Sequence, residues 1–420
     1  MAADIELAAL IGLDWSDQHH DVALQAYGSA KVEHQRITHT PDAIIEWIAG
    51  LRERFGGKPV GIAVETSRGP IIHALLEYDF IVLYPVNPRS LARFREAFAP
   101  SGAKDDVPDA DLLREMLDKH RDRLRPWVPD DTETRALRRL VEHRRATIDL
   151  RTKLIQQLGA TLKEYFPQAL HWGGEDLGSV MACDFLLNWP SLDKVQRVKP
   201  ATLRKFFHAH NCRSTELIEG RIQEIATAQP LTRDPAIVET SSLLVQTLVQ
   251  QLKALAPSIQ RFDQEIKTRF AAHADADLFK SLPGSGAALA PRLLVAFGSV
   301  RDRYASAADL QQLAGIAPVT ERSGKRSWVH WRWAAPTFLR QTFHEFAQHS
   351  IRHCAWARAY YALQRSRGKD HHAAVRALAF KWMRIIWSCW KTRTPYDDAR
   401  YTRTLQLRGS PIAATLGAHA

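Results

Sequence analysis

The segment LAALIGLDW, residues 7–15, is a short apolar run that ends near an acidic residue, Asp14. Its length and continuous apolar character predict a buried β-strand. A second apolar segment, PVGIAVET at residues 59–66, ends in the same way at Glu65. Two buried strands that each end at a carboxylate decide the interpretation of the first third of the chain.

Strand-like and helix-like patterns alternate around these two segments. Two further strands are predicted within HDVALQAYG (20–28) and HQRITHT (34–40), followed by a helix over residues 41–55 that begins at Pro41 and Asp42. After the Glu65 strand the patterns predict, in order, a helix, a strand and two helices: IIHALLEYD (71–79), FIVLYPVN (80–87), SLARFREAFAP (90–100) and residues 106–120. A three-strand meander followed by helix, strand, helix, strand and helix is the element order of the α/β ribonuclease-H-like fold.

Four carboxylates are predicted to meet at one edge of this sheet. The first and fourth strands are neighbours in such a sheet, which brings Asp14 and Glu65 together. Asp106 and Asp109 open the last helix with i, i+3 spacing, so they share a face that can project toward the same edge. Such a cluster needs divalent cations, and oxygen ligands suit Mg²⁺, with two ions about 3.5–4 Å apart in phosphoryl transfer.

Each of these acids has a simpler interpretation when it is taken alone. A single Asp at a strand end is usually a turn or cap residue, and acids at the start of a helix stabilise its N-terminus. Asp105 and Asp111 are rivals for the two helix positions, and both are predicted to be solvated. The combination of acids at three separate places favours a metal site.

Composition indicates a cytosolic protein that handles nucleic acid. The N-terminus lacks a secretory pattern, and no stretch reaches the roughly 20 apolar residues of a membrane span. The four cysteines are far apart in sequence and are predicted to be reduced thiols: Cys183, Cys212, Cys354 and Cys389. A cytoplasmic, nucleoid-associated location without membrane contact is therefore expected.

The basic charge is concentrated near the C-terminus. The formal net charge is +11, and residues 321–394 hold fifteen Lys or Arg against three Asp or Glu. This local excess favours a polyanionic partner, because each neutralised phosphate releases counterions. A solvated basic surface that serves solubility is the alternative.

The middle of the chain is predicted to be helical. Residues 131–166 and 241–273 are long, charged, amphipathic segments that indicate an antiparallel helical hairpin or coiled-coil arm, with a possible role in dimer contact. Residues 167–239 between them resemble a small inserted helical module with no assigned role. The predicted domains are therefore 1–125 (catalytic α/β), 126–276 (helical arm), 277–402 (basic and mainly α-helical) and a disordered tail, 403–420.

Two motifs in the basic domain are candidates for chemistry. The turn Pro-Gly-x-Gly in SLPGSGAALAPRLLVAFG (281–298) resembles a helix-hairpin-helix, in which Gly284 and Gly286 would let backbone N–H groups approach a phosphate. A simple tight helix–helix turn explains it equally well. Ser323 precedes a glycine and could attack a phosphodiester, although most such serines are turn residues. The cationic residues around it are Arg322, Lys325 and Arg326.

The basic domain also contains clustered tryptophans and a basic loop. Trp328, Trp331 and Trp333 are interleaved with other residues in a strand-like pattern. Their rings either pack in the core or stack on nucleic-acid bases. The loop RSRGKDHH (365–372) ends in His371 and His372, which are predicted to be loop or helix-start residues rather than metal ligands. Candidate phosphate contacts outside the serine loop are Arg332, Arg358, Arg365, Arg367 and Lys369.

The order IGLDWS, AVETS, KDDVPDADLL, LPGSG and a Ser-Gly segment resembles that of DEDD-type insertion-sequence transposases guided by a bridge RNA. The resemblance covers roughly residues 8–120 and 278–395. It implies a RuvC-like N-terminal domain and a serine-bearing C-terminal transposase domain. The implied metal ligands are Asp14, Glu65, Asp106 and Asp109, and the implied nucleophile is Ser323, which forms a transient covalent link to DNA.

The same resemblance implies partners and an assembly. A noncoding RNA pairs with donor and target DNA, and the chains form a homo-oligomer, a dimer or tetramer, in which the acidic domain of one subunit meets the serine domain of another. One departure concerns the residues after the Ser-Gly pair, which read KRSWVHWRWAAP (325–336) where the family has a Gly- and Ser-Lys-containing stretch. This departure makes Ser327 an alternative nucleophile.

The leading hypothesis is an RNA-guided transposase that cuts and rejoins DNA with Mg²⁺ and a serine. A metal-dependent nuclease resembling a junction resolvase, in which water attacks, is one alternative. A non-catalytic nucleic-acid-binding regulator with a degenerate acidic domain is the other.

Overall fold

The computed structural model describes residues 5–65, 69–98, 109–174, 176–324, 326–330, 332 and 335–413. The chain divides into two compact units, residues 1–129 and residues 130–420. The helical arm and the basic domain, which the sequence separates near residue 276, therefore belong to one unit. The remaining domain boundaries stay predictions. No helix among the described residues is long and apolar enough to cross a membrane.

The N-terminal unit contains a five-stranded mixed sheet. Its strands are β1 (Ala9–Trp15), β2 (His19–Ala26), β3 (Val32–Thr38), β4 (Val60–Val64) and β5 (Ile81–Pro85). Their order across the sheet is β3-β2-β1-β4-β5. β1 pairs with β2 in antiparallel and with β4 in parallel orientation. The predicted meander and the predicted neighbourhood of the first and fourth strands are thus both confirmed.

Helices cover both faces of this sheet. They are α1 (Pro41–Phe55), α2 (Pro70–Leu75), α3 (Pro88–Phe98) and α4 (Asp109–Lys119), followed by a short 3-10 helix, Arg121–Arg123. One core joins α1 and α2 to alternate strand residues such as Ile11 and Ile62. The other joins α3 and α4 to residues of opposite parity, Leu10 and Ala63. This alternation follows from the two-residue period of a strand.

Two long antiparallel helices begin the second unit. They are α5 (Thr132–Tyr165) and α11 (Pro235–Ala272). Arg269 near the end of α11 pairs with Glu133 at the start of α5 at 3.0 Å, and Arg144 pairs with Asp263 farther along. These cross-links run in opposite sequence directions, so the predicted antiparallel hairpin is confirmed.

The predicted inserted module is a group of short helices at the far end of this hairpin. The helices are α6 (Ala169–Trp172), α7 (Val180–Asn188), α8 (Leu192–Gln196), α9 (Pro200–Ala209) and α10 (Thr215–Thr227). Their apolar residues share one core with α5 and α11, which includes Leu158, Phe185 and Val245. The module is therefore packed onto the arm and has no separate core.

The described residues after α11 form helices and one β-hairpin. The helices are α12 (Ala276–Lys280), α13 (Gly286–Phe297), α14 (Ala307–Leu313), α15 (Thr337–His353), α16 (Ala355–Ser366), α17 (His371–Thr392) and α18 (Asp398–Leu407), and the strands are β6 (Val319–Ser323) and β7 (Arg326–His330). Trp356, Trp382 and Trp390 are fully buried in its core. Core packing therefore explains these three tryptophans.

The predicted disordered tail from residue 403 is wrong for its first part. Helix α18 continues to Leu407, and both Leu405 and Ile412 are buried in the core of this unit. These two apolar side chains supply burial that a composition rich in small residues did not indicate. Residues 414–420 lie outside the described residues.

Candidate active site

Asp14 and Glu65 lie at the ends of neighbouring parallel strands. Leu13 of β1 is opposite Val64 of β4, so the register places the next residue of each strand side by side. Leu13 and Val64 both point into the core beneath α1 and α2. Because side chains alternate along a strand, Asp14 and Glu65 share the opposite face, which α3 and α4 cover. Both are partly buried.

Helix α4 lies directly on β1 beside these carboxylates, and Gly12 makes the contact possible. A Cβ atom at Gly12 would lie 1.8 Å from the carbonyl oxygen of Ala110 and 2.5 Å from the backbone nitrogen of Arg114. Only a glycine permits this approach of helix backbone to strand backbone. The approach brings Asp109, the first residue of α4, to the face that carries Asp14.

The pKa of Asp14 reflects its burial and the negative charge around it. The pKa is raised from 3.8 to about 6, first by burial and then by the carboxylates of Asp109, Glu65 and Asp21, in that order. The cation of Arg95 opposes them. Of the two helix acids predicted for this site, Asp109 lies within electrostatic reach of Asp14. Asp106 lies outside the described residues.

Arg95 of α3 is a direct partner of the site. Its guanidinium donates to Asp109 through Nη2 and through Nε, the latter at 3.1 Å. Both side chains are partly buried. The pair fixes the Asp109 carboxylate between α3 and α4 and neutralises part of the local charge.

The donor set fits a divalent cation in chemistry and in charge. Three carboxylates within electrostatic reach of one another supply hard oxygen ligands, which Mg²⁺ and similar ions prefer. Burial is the largest cause of the raised pKa of Asp14, and repulsion from the neighbouring carboxylates adds to it although Arg95 offsets a part. Among the described residues, no three His, Cys, Asp or Glu side chains are close enough to hold one ion. Both hydrogen bonds from Arg95 go to the same oxygen of Asp109, Oδ1.

Asp111 does not compete for this position. Its carboxylate bonds Nε2 of His34 on β3 at 2.9 Å and is partly buried. The prediction that Asp111 is simply solvated is therefore wrong, because a strand two places from β1 presents a partner for it. Its carboxylate points toward β3 and away from the β1–β4 edge, which agrees with the prediction that Asp109 is the better metal-ligand candidate. Asp105 lies outside the described residues.

Ser323 is the last residue of β6, at the tip of an exposed hairpin. It pairs in register with Arg326 of β7, and Gly324 occupies the turn with φ +56°. Residues directly opposite in an antiparallel pair share a face, so the hydroxyl and the guanidinium lie on the same side. Lys325 lies outside the described residues.

The alternative nucleophile lies on the other face of the hairpin. Ser327 pairs with Arg322, one step farther from the turn. Because the side chains alternate, Ser323 and Ser327 face opposite sides. Glu321, on the Ser323 face, is bonded to His330 at 2.7 Å. Trp328 is half exposed, whereas Trp331 and Trp333 lie outside the described residues.

The Pro-Gly-x-Gly segment forms a turn between α12 and α13. Gly284 and Gly286 have φ values of +80° and +53°. A Cβ atom at Gly284 would lie 3.0 Å from the ring of His353 and 3.3 Å from the backbone of His349, both on α15. Close packing against α15 therefore accounts for Gly284, as the simple-turn interpretation requires. Gly286 is exposed with open space around it.

The basic residues of the predicted loop surround a turn between α16 and α17. Arg367 and Lys369 are exposed, and Arg365 donates to the carbonyl of Lys369 at 3.2 Å. Arg358 differs, because it donates to the carbonyls of Ile351 and Arg352 near the end of α15. Arg332 is partly buried.

The histidines after the loop are helix-start residues. His371 and His372 begin α17, whose first turn is capped by the Asp370 side chain. This position confirms the predicted helix-start role. The four cysteines are free.

Two family models match the two parts of the chain that carry these features. A transposase model of the DEDD IS110 type matches residues 11–167, and the model "Transposase IS116/IS110/IS902 family" matches residues 276–362. The chain belongs to the IS110-type transposase family. It is an insertion-sequence transposase, an enzyme of DNA recombination.

Curated relatives support the same assignment for this transposase. The "Mini-circle putative transposase for IS117" of Streptomyces coelicolor is 27% identical over 400 residues, 94% of this chain and 96% of that protein. The "Putative transposase y4uE" of Sinorhizobium fredii is 30% identical over 208 residues, 48% and 56% of the two chains. The 42 kDa protein of insertion element IS900 of Mycobacterium paratuberculosis is 27% identical over 88% of this chain and 92% of its own.

Sequence reasoning missed two residues that shape the candidate site, Gly12 and Arg95. A glycine inside the apolar run at residue 12 signals close backbone approach, and this signal was present in the sequence. Arg95 gave no signal, since it is one of several basic residues on an amphipathic helix. The two matched regions leave out residues 168–275, where the helical module lies.

Proposed function

We propose that this transposase cuts and rejoins DNA with a serine nucleophile, Ser323, and with Mg²⁺ held in a ribonuclease-H-like (RuvC-like) domain. The observation that carries the proposal is the convergence of Asp14, Glu65 and Asp109 beside α4, with the pKa of Asp14 raised to about 6. Asp106, three residues before Asp109, is proposed as the fourth ligand. The order of the sheet and the helices on both faces support the assigned fold.

The carboxylate residues prepare a site for two divalent ions. When bound, Mg²⁺ polarises the phosphodiester and stabilises the attacking and leaving oxygens. Asp14 is ionised above a pH of about 6, so it is available as a ligand at neutral pH. Arg95 fixes the position of Asp109 through two hydrogen bonds to its Oδ1.

Ser323 would supply the attacking oxygen. Its Oγ forms a bond to the scissile phosphorus as its proton is lost, and the bond from phosphorus to the leaving deoxyribose oxygen breaks, with that oxygen taking up a proton. The reverse step with another DNA end rejoins the strand and releases the serine. Arg326, across the hairpin from Ser323, is placed to bind a non-bridging phosphate oxygen.

The proposed partners are donor and target DNA and a noncoding guide RNA that pairs with both. The proposed assembly is a homo-oligomer, a dimer or tetramer, in which acidic and serine domains from different subunits form one site. The exposed basic residues at the β6–β7 hairpin and at the turn between α16 and α17 support nucleic-acid contact. The proposed contacts are Gly284, Gly286, Arg322, Lys325, Arg326, Arg332, Arg365, Arg367 and Lys369.

Substitution of the two hairpin serines tests the nucleophile. Ser323→Ala should abolish strand cleavage and any covalent protein–DNA species, whereas Ser327→Ala, on the opposite face of the same hairpin, should retain both. Denaturing gels with end-labelled DNA measure the two products directly. Cleavage that persists in Ser323→Ala without a covalent species would instead favour a water-using nuclease that resembles a junction resolvase.

Substitution of the strand-end acids tests the metal site. Asp14→Asn and Glu65→Gln should each remove divalent-ion-dependent cleavage while leaving DNA binding intact, because the basic residues lie in the other unit. Normal recombination by both variants would contradict the proposal and favour a nucleic-acid-binding regulator with a degenerate acidic domain.

A further inference from the structure

The β6–β7 hairpin carries an exposed tryptophan on the same face as Ser323. Trp328 of β7 lies opposite Glu321 of β6, and Ser323 lies opposite Arg326. Residues two apart on a strand share one face, and so do residues directly opposite in an antiparallel pair. All four side chains therefore project from one face, and Trp328 lies one step of about 7 Å behind the Ser323–Arg326 pair.

Core packing does not account for Trp328. Its exposed fraction is 45%, the largest of any tryptophan in the described part of the chain. The core of this unit instead contains Trp356, Trp382 and Trp390, which are all fully buried. Among the described residues that form or border this core, Trp328 does not appear. Its large apolar ring is therefore available for a contact outside the core.

The charges near the ring suit a nucleotide. Arg326 supplies a cation on the face of Trp328, between the ring and the turn. The acid opposite the ring, Glu321, is bonded to Nε2 of His330 at 2.7 Å. Because His330 lies one step farther from the turn than Trp328, this bond directs the carboxylate away from Arg326. A phosphate at the tip of the hairpin therefore meets a cation and no opposing acid from the described residues of this face.

A phosphate held between Ser323 and Arg326 would bring the adjoining nucleobase to the ring. A single sugar joins the base to that phosphate, and Trp328 begins only about 7 Å along the strand. Every nucleobase has a flat face that stacks on an aromatic side chain. In a duplex the neighbouring bases cover both faces, so a base reaches the ring only when it leaves the stack.

We propose that Trp328 stacks on the nucleobase beside the scissile phosphate, at a base step that opens before the strand is cut. The inference rests on the proposed role of Ser323, and it adds the form of the substrate, which is DNA with an unstacked base at the cleavage point. Stacking fixes the phosphate in front of the attacking oxygen. Trp328 thus positions the substrate and takes no part in bond making.

Removal of the flanking base from the DNA tests the stacking. The substrate is a duplex that the wild type cuts together with the proposed guide RNA, with the cleaved bond mapped on a denaturing gel. Trp328→Ala should slow single-turnover cleavage of the intact duplex by about tenfold, which is about 1.4 kcal/mol. Two further duplexes lack the base on the 5′ or on the 3′ side of that bond. On one of them the ratio of the wild-type rate to the Trp328→Ala rate should fall to about one, because no base remains to stack.

Two control variants separate stacking from the shape of the hairpin. Trp328→Phe keeps an aromatic ring and should cut the intact duplex within about threefold of the wild type. Val329→Ala shortens a side chain that is 65% exposed on the opposite face, and it should leave the rate unchanged. The Tm of each variant checks that the protein is folded.

A rate ratio that stays near ten on both abasic duplexes would overturn the inference, because the loss would then come from the hairpin itself or from a protein contact. Equal rates for the wild type and Trp328→Ala on the intact duplex would overturn it too. Ser323→Ala tests the nucleophile separately. If that variant still cleaves, the serine chemistry fails, while the comparison on abasic DNA still shows whether a base stacks on Trp328 beside the bond that is cut.

Discussion

Replacement of Gly12 by alanine tests the geometry on which the acidic site depends. The added Cβ would lie 1.8 Å from the carbonyl oxygen of Ala110 and 2.5 Å from the nitrogen of Arg114. Both are backbone atoms of α4, so no side-chain rotation relieves the clash, and the helix must move away from β1 by more than about 1 Å. Overpacking of this kind costs about 1–3 kcal/mol. Displacement of Asp109 by about 1 Å costs up to about 100-fold in rate.

We therefore expect Gly12→Ala to lower Tm by several degrees and DNA cleavage by about two orders of magnitude, with cleavage assayed well below the Tm. Gly50→Ala is the matched control, because a Cβ at that position on α1 meets no atom within 4 Å. It should leave cleavage unchanged and slightly raise Tm, since alanine favours helix. A Gly12→Ala variant with wild-type Tm and cleavage would refute the docking of α4 on β1.

Two further predictions concern individual acids. Because the folded state raises the pKa of Asp14 from 3.8 to about 6, the folded protein holds a proton that the unfolded chain releases, and this residue makes stability fall as pH rises from about 4 to 6. In the presence of a chelator, the Tm of Asp14→Asn should exceed that of the wild type above about pH 6 and match it near about pH 4. A constant difference in Tm between about pH 4 and 6 would contradict the shifted pKa. Asp109→Asn should reduce cleavage by about 100-fold or more. Asp111→Asn loses only the half-exposed ion pair with His34, so it should change cleavage less than about threefold and the free energy of unfolding by less than about 1 kcal/mol. Similar losses of cleavage in both variants would show that the position on the helix does not select the metal ligand.

The sequence predicted the sheet and the long hairpin because strong local patterns determine both. Apolar runs that end at Asp14 and Glu65 place these residues at strand ends, and the order of strands and helices makes β1 and β4 neighbours. Amphipathic segments of similar length on either side of the module predict α5 against α11. In each case the period of apolar residues states which face is buried.

The contacts that complete the site depend on distances between elements, which no local pattern contains. The sequence could indicate that another backbone segment lies close to Gly12. It could not indicate that this segment is α4. The Arg95 pair with Asp109 and the His34 pair with Asp111 join residues 14 and 77 positions apart. The packing of Gly284 against α15 is of the same kind, because composition assigned phosphate contact to the glycines of that turn.

The exposed hairpin raises a final question, which is how Ser323 is activated. Within the described part of the hairpin, Arg322 and Arg326 supply positive charge, and its one carboxylate, Glu321, is bonded to His330. The proposed metal ligands lie in the other unit, so activation requires the two units to meet, within one chain or between two. We expect the second arrangement. A mixture of Asp14→Asn and Ser323→Ala chains should then recover cleavage, since half of random dimers are mixed and each mixed dimer holds one intact site, which gives about a quarter of the wild-type sites. Cleavage that stays at background in the mixture, although each variant still binds DNA and associates with the other, would place both halves of the site in one chain.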